Sequence, residues 1–158
     1  MRKLLLPLTL LFFIYSCSDH RLDPGLNENP AAFAEIGSID IGDIGAAEIS
    51  AYDPFTGRLF VVNNSTVNKI DVIDMSNPSN MKVIGSISMA PYGGAVNSLS
   101  IYNGKLAAAI ESLNKQEAGK VVVFNTIDYK ELKVIAVGAL PDMITFSPDG
   151  RFILTANE

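Results

Sequence analysis

The stretch AEISAYDPFTGRLFVVNN, residues Ala47–Asn64, decides the fold because the chain repeats its pattern twice. The second copy is VNSLSIYNGKLAAAIE (Val96–Glu111), and the third is PDMITFSPDGRFILTANE (Pro141–Glu158). Each copy holds a turn glycine, then a basic residue, then an apolar run, and the glycines at positions 57, 104 and 150 lie 47 and 46 residues apart. Three matches at near-constant spacing indicate an internal repeat.

Each repeat divides into short apolar runs separated by turn residues, and no ten-residue amphipathic helix pattern appears after Phe33. The predicted strands of the first unit are Glu48–Tyr52, Leu59–Val62, Ile70–Asp74 and Val83–Ser88, and strands three and four of the second unit are Lys120–Phe124 and Leu132–Val137. Four short antiparallel strands every ~40–50 residues are typical of a β-propeller blade. The sequence therefore predicts an all-β fold, a partial β-propeller with a blade at 47–89, a second at 96–138 and a half blade at 141–158.

A further copy precedes the first unit. Glu35–Ile41 (EIGSIDI) matches Val83–Met89 (VIGSISM), the predicted fourth strand, at a shift of 48 residues. We therefore expect residues 35–42 to be a closing strand and 35–158 to be an incomplete propeller domain. A closed propeller needs at least four blades, so the strand count predicts the N-terminal piece of a longer protein.

The N-terminus has the pattern of an export signal. A basic start, Met1-Arg2-Lys3, precedes the uncharged run LLLPLTLLFFIY, which is shorter than the about 20 residues that cross a bilayer as a helix. Because the run closes on Cys17, in a stretch that resembles a bacterial lipobox, we expect residues 1–16 to be a lipoprotein signal peptide and Cys17 to carry the lipid. An ordinary signal peptide is the alternative. We expect residues 17–34 to form a tether in the cell envelope, at the outer membrane. Ser18-Asp19 resembles the start of the acidic tract that follows the lipidated Cys in surface-exported bacterial lipoproteins, and this resemblance implies exposure at the cell surface.

Composition excludes several classes of function. The formal net charge is −5 and no basic stripe follows the first three residues, which argues against nucleic-acid binding. One Cys and one His cannot supply a disulfide or a Cys2His2 zinc site. The single His20 lies in the tether, so a Ser-His-Asp triad is not expected either.

The phrases GSIDIGDIGAAEISAYDPFTGRLFVVNNSTVNKIDVIDMSNPSN, GKVVVFNT and LPDMITFSPDGRFILTANE resemble the start of the bacterial choice-of-anchor I proteins. These are sometimes labelled mesenchyme-specific cell surface glycoproteins, and they are similar to YVTN and LVIVD-repeat propellers. The resemblance covers roughly residues 37–158. It implies a secreted or surface-held propeller, with no securely assigned reaction, in a family whose members continue past the position of Glu158.

The repeat also predicts a candidate site at the mouth of the central channel. Strand one begins, and strand two ends, on the same side of each blade, because the two are antiparallel neighbours. The polar residues at those places are Glu48, Asn64, Asn97, Glu111, Asp142 and Asn157. The insert Ser112–Gly119 lengthens a loop on the same side. Such an oxygen-rich ring suits Ca2+ or a polar ligand, although polar strand ends that only meet water or cap turns are the simpler explanation.

Asp71 and Asp74 offer a weaker candidate. They flank an apolar pair on strand three, and we expect both side chains on one side of the sheet, where a carboxylate pair or a structural role is open to them.

These observations favour a non-catalytic, lipid-anchored propeller that presents a face to a protein or glycan ligand. No phosphate-binding loop, dinucleotide motif, zinc-protease helix or serine nucleophile motif occurs, and no catalytic residue is assigned. The alternative is a Ca2+-dependent hydrolase, of phosphoesterase or lactonase type, with its site at the channel mouth.

Overall fold

The computed structural model describes residues 29–42 and 44–158. The predicted signal peptide, Cys17, Ser18-Asp19 and His20 lie outside these residues. The chain divides into two units, residues 1–34 and 35–158. In the described part of the first unit, a single 3-10 turn spans Pro30–Ala32, and the side chain of Asn29 caps it by accepting the amide of Ala31 at 3.0 Å. No helix in the described ranges is long and apolar enough to cross a membrane.

The second unit consists of antiparallel sheets, which confirms the all-β partial propeller. Blade 1 has the strand order β1-β2-β3-β4, blade 2 has the order β5-β6-β7-β8, and β9 pairs with β10 in a third hairpin. The strands of blade 1 are β1 (Ala46–Asp53), β2 (Arg58–Asn63), β3 (Lys69–Asp74) and β4 (Lys82–Ser88). The other strands are β5 (Val96–Tyr102), β6 (Lys105–Ile110), β7 (Ala118–Asn125), β8 (Glu131–Ala139), β9 (Pro141–Phe146) and β10 (Ile153–Asn157). A second 3-10 turn, Pro78–Asn80, joins β3 to β4.

Alternating side chains on the middle strands form two apolar layers, because successive residues of a strand point to opposite faces. Phe60 and Val62 of β2 lie in the layer between blades 1 and 2, together with Leu106 and Ile110 of β6. The small residues Ala107 and Ala109 of β6 face the third hairpin, where Ile144 packs against them. The blades therefore stack face to face, and the first strands β1, β5 and β9 contact one another in turn.

Hydrogen bonds across the layers hold neighbouring blades in register. The backbone amides of Ile144 and Phe146 donate to the hydroxyls of Ser98 and Ser100, each at 3.2 Å. At the other layer, one guanidinium nitrogen of Arg58 donates to the carbonyls of Thr126 and Ile127, each at 3.0 Å. These bonds satisfy polar groups that stacking would otherwise remove from water.

Residues 35–42, the expected closing strand, form no ladder with any described strand. The segment lies instead against the face of blade 1 that points away from blade 2, where the side-chain amide of Asn63 donates to the carbonyl of Ile41 at 3.1 Å. Ile41 also borders a cavity of about 180 Å³ with Leu59 and Ile73. The described residues do not test the closing role, which stays a prediction.

Candidate functional site

The candidate site begins where the first strand of each blade departs from regular pairing. The register shifts after the pairs Ala46↔Asn63 and Val96↔Ile110, next to the start of β1 and β5, and a matching irregularity lies at Pro141↔Asn157. A bulge leaves residues out of the ladder and re-aims their side chains. These irregularities leave Glu48, Asn97 and Asp142 without a ladder partner at the same end of the three sheets.

We use "rim" for those three residues together with the residues that follow β2, β6 and β10, namely Asn64, Glu111 and Glu158. The rim is the end of the sheets at which the first strands begin.

Asn64 connects blade 1 to blade 2 within the rim. Its amide nitrogen donates to the Glu48 carboxylate at 3.0 Å and to the backbone carbonyl of Val96 at 2.9 Å. Its amide oxygen accepts the backbone N–H of Val96 at 3.3 Å. The two bonds to the backbone of Val96 fix the orientation of the Asn64 side chain. Because the Glu48 carboxylate accepts from the same amide, its position depends on the junction between the blades.

Asn97 lies between two carboxylates in the next part of the rim. Its amide nitrogen is 3.4 Å from an oxygen of Glu111 and 3.5 Å from one of Asp142, at the long end of hydrogen-bond distances. The ammonium group of Lys115, from the inserted loop, lies 3.4 Å from the same Glu111 oxygen. Long contacts of this kind leave most of the acceptor capacity of both carboxylates available to a ligand.

Asn157 does not occupy the predicted place. Its amide nitrogen is within 3.4 Å of the hydroxyl of Thr155 on its own strand. The residue that follows the last pair of β10 is Glu158, whose backbone N–H reaches the carbonyl of Ala139 at 3.2 Å, as the N–H of Glu111 reaches Ala95 at 3.0 Å. The prediction was wrong by one residue because the turn glycine was used to align the copies.

The turns explain this error. Gly57 lies six residues before Asn63, the last paired residue of β2, whereas Gly150 lies seven residues before Asn157, the last paired residue of β10. Counting from the strand pairs instead of from the glycine would have found Glu158.

The described residues contain no group of three acidic, His or Cys side chains close enough together to hold a metal ion. In the rim an amide separates the acids, Asn64 beside Glu48 and Asn97 between Glu111 and Asp142. Such an arrangement presents negative charge and hydrogen-bond acceptors along an edge, which suits a cationic or hydroxyl-bearing partner that spans more than one blade.

Asp71 and Asp74 do not form a carboxylate pair. Residues three apart on a strand point to opposite faces, so the expectation of a shared side was wrong. The buried Asp71 is paired with the ammonium group of Lys69 at 2.8 Å and accepts from the amide of Asn63 at 2.7 Å. Hydrogen bonds from Ser76, its backbone amide first, lower the pKa of Asp74. Both acids have local structural partners.

Comparison with known proteins assigns the family. The family model described as the choice-of-anchor I domain matches residues 48–158, most of the chain. The chain belongs to the choice-of-anchor I family. Membership agrees with the repeat observed in the sheets, since the match begins at the first rim residue and includes both blades and the third hairpin. The description of a choice-of-anchor I domain indicates a surface-associated module of the β-propeller type.

Among solved structures, this choice-of-anchor I domain is similar to hydrazine synthase from Kuenenia stuttgartiensis, with a TM-score of 0.55 and 21% sequence identity. The similarity covers 77% of this chain and 32% of that chain, so the chain spans about a third of the length of the structure it matches. At this identity the likeness shows the fold alone. A search of the curated proteins found no match.

Proposed function

We propose that this protein is a lipid-anchored β-propeller of the bacterial cell envelope, held at the outer membrane through Cys17, whose rim binds a basic segment of a protein partner. Membership of the choice-of-anchor I family supports the surface role. The basic and apolar N-terminal run that ends on Cys17 supports the anchor.

The observation that carries the binding role is the rim itself. Glu48 and Asp142 are exposed, on different sheets, and each accepts only one hydrogen bond from a described residue. Asn64, fixed by its two bonds to Val96, holds the Glu48 carboxylate at the junction of the blades before a ligand arrives. Charge complementarity favours a lysine- or arginine-bearing segment over a neutral glycan.

The anchor is tested by replacing Cys17. The full chain and its Cys17→Ser variant are expressed in a bacterial host that processes lipoproteins, and membrane fractionation is combined with labelling by a radioactive fatty acid. We expect the original chain to take up label and to sediment with membranes, and the variant to lose both properties. Label on the Cys17→Ser chain, or no label on the original chain, would overturn the proposal that Cys17 carries the lipid.

The rim is tested with a lysine-glycine hexapeptide as the probe, titrated into the detergent-solubilised full chain. Because exposed charge pairs contribute about 0.7 kcal/mol each, we expect the double variant Glu48→Gln, Asp142→Asn to bind about 10-fold more weakly. Asp128→Asn, an exposed acid at the opposite end of blade 2, serves as the control and should bind as the original chain does. Equal affinity of the double variant and the control for the peptide would refute the binding role of the rim.

The same titration tests the other candidate ligands. Tighter binding of maltohexaose than of the basic peptide would replace the protein partner by a glycan. The hydrolase alternative needs a Ca2+ site, and the described residues contain no group of three acidic, His or Cys side chains that could hold a metal ion. It would be established by saturable CaCl2 binding together with turnover of a phosphoester or lactone that is lost in Glu48→Gln.

A further inference from the structure

A cavity of about 230 Å³ lies at the opposite end of the sheets from the rim. It is bordered by the β1–β2 turn of blade 1, the β5–β6 turn of blade 2, and the β7–β8 turn with the start of β8. The cavity is lined by the side chains of Phe55, Asn103, Lys105, Asn125, Ile127 and Leu132. At about 30 Å³ per water molecule, this space holds seven or eight waters. It is smaller than the about 300 Å³ at which drug-sized ligand sites begin, so it fits a single small ring.

Three apolar side chains that border the cavity are largely exposed to water. Phe55 is 70% exposed, Ile127 56% and Leu132 50%. An isolated exposed apolar side chain is ordinary, but three around one cavity form a patch that a ligand could cover. Phe55 lies within a turn of four residues, so its ring has no role in the pairing of β1 with β2. The ring therefore supplies a flat apolar surface.

The polar side chains of the cavity offer three donor groups, the amides of Asn103 and Asn125 and the ammonium of Lys105. The amide oxygen of Asn125 accepts the backbone N–H of Ile127 at 2.7 Å, which leaves its amide nitrogen directed elsewhere. Among the described residues, that nitrogen and the side chains of Asn103 and Lys105 have no hydrogen-bond or ion-pair partner. Lys105 is the only charged residue of the described part of the chain that borders the cavity, and the formal net charge of the chain is −5.

We propose that this cavity binds an acidic sugar, a hexuronate residue of a glycan. The apolar face of a pyranose ring packs on Phe55, its hydroxyls accept from Asn103 and Asn125, and its carboxylate pairs with Lys105. A purely apolar ligand would leave the ammonium and both amides unpaired, and a bare anion would leave the aromatic ring uncovered. The inference goes beyond the proposed rim function, because it uses a different end of the molecule and a ligand of opposite charge.

The test uses glucuronate as the probe with the detergent-solubilised full chain, followed by saturation-transfer nuclear magnetic resonance. We expect binding in the millimolar range, and about 5-fold weaker binding for Phe55→Ala and for Lys105→Met. Phe152→Ala is the matched control, because Phe152 is 61% exposed in the corresponding turn of the third hairpin, away from the cavity. Lys105→Arg keeps the charge and should retain binding.

The ligand class is separated by three further probes. Glucose lacks the carboxylate and should bind about 5-fold more weakly than glucuronate, whereas equal binding would overturn the role of Lys105. Equal binding of acetate or of N-acetyl-aspartate would overturn the sugar in favour of a simple carboxylate or a peptide. The rim variant Glu48→Gln should bind glucuronate normally, so failure of the rim and failure of this cavity are distinguishable. No binding of glucuronate at all, in a chain with unchanged circular dichroism, would refute the proposal.

Discussion

Replacing Arg58 by Met tests whether the blades are joined by the guanidinium group or only by the apolar layer. Arg58 is the first residue of β2, and its side chain crosses to blade 2, where one nitrogen donates to the carbonyls of Thr126 and Ile127. The guanidinium carbon also lies 5.4 Å from the ring centre of Tyr129. Tyr129 in turn packs edge-on against Phe60 at 6.2 Å. Methionine keeps most of the apolar stem but none of the polar contacts.

The cost follows from these three contacts. A hydrogen bond from a charged donor contributes about 1.5–3 kcal/mol when buried, and we discount each bond to about 0.8 kcal/mol because the site is only half-buried. The cation–π contact adds about 0.5 kcal/mol at such exposure. The sum is about 2 kcal/mol. For a domain of about 120 residues, one kcal/mol corresponds to roughly 4 °C, so we expect the melting temperature to fall by about 8 °C.

The assay is thermal and urea unfolding of the full chain, followed by circular dichroism and by tyrosine fluorescence. Arg151→Met is the control, because Arg151 follows the corresponding turn glycine but is exposed, and its guanidinium carbon lies 5.7 Å from the ring centre of the neighbouring Phe152. It should change stability by less than about 0.5 kcal/mol. If Arg58→Met unfolds within that margin as well, the inter-blade role of the guanidinium is refuted.

Three further variants test separate parts of the fold. The buried hydroxyl of Thr126 has no hydrogen-bond partner among the described residues, so Thr126→Val should raise the free energy of unfolding by up to about 1 kcal/mol in urea titrations; a loss of that size would reveal a partner for the hydroxyl. A Cβ added at Gly94 would overlap the backbone of Glu111, so Gly94→Ala should lower the free energy of unfolding by about 3 kcal/mol. Gly57 has a positive φ of 67° but open space around it, so Gly57→Ala should lower it by only about 1 kcal/mol. Equal losses in the two variants would contradict the overlap at Gly94. Burial, with a smaller contribution from the carboxylate of Glu131, raises the pKa of Tyr92 to about 12. Its protonated form therefore stabilises the fold below pH 10, and this contribution is lost as the pH rises through 12. Tyr92→Phe should remove a phenolate absorbance step near pH 12, and an unchanged titration would contradict the shift.

The repeat was enough to predict the sheets. Alternation and turn residues act over about ten neighbouring residues, so the four-stranded order of each blade could be inferred before any packing was known. The same reasoning brought Asn97 close to Glu111, because β5 and β6 are antiparallel partners, whereas the distance from Asn97 to Asp142 depends on how the third hairpin stacks on blade 2. It failed at Asn157, where the position of the turn glycine differs between copies by one residue while the strand pairs do not.

The sequence by itself determined the blade, because a period near 47 residues and alternating apolar positions specify local pairing wherever they recur. Only the tertiary structure decided what lies between blades. The bonds of Arg58 to the β7–β8 turn and the cavity beside Phe55 join residues about 70 positions apart, whose distance depends on how one sheet stacks and twists on the next. No local pattern encodes that stacking, since each copy contains the contacts of its own strands but not those of its neighbour.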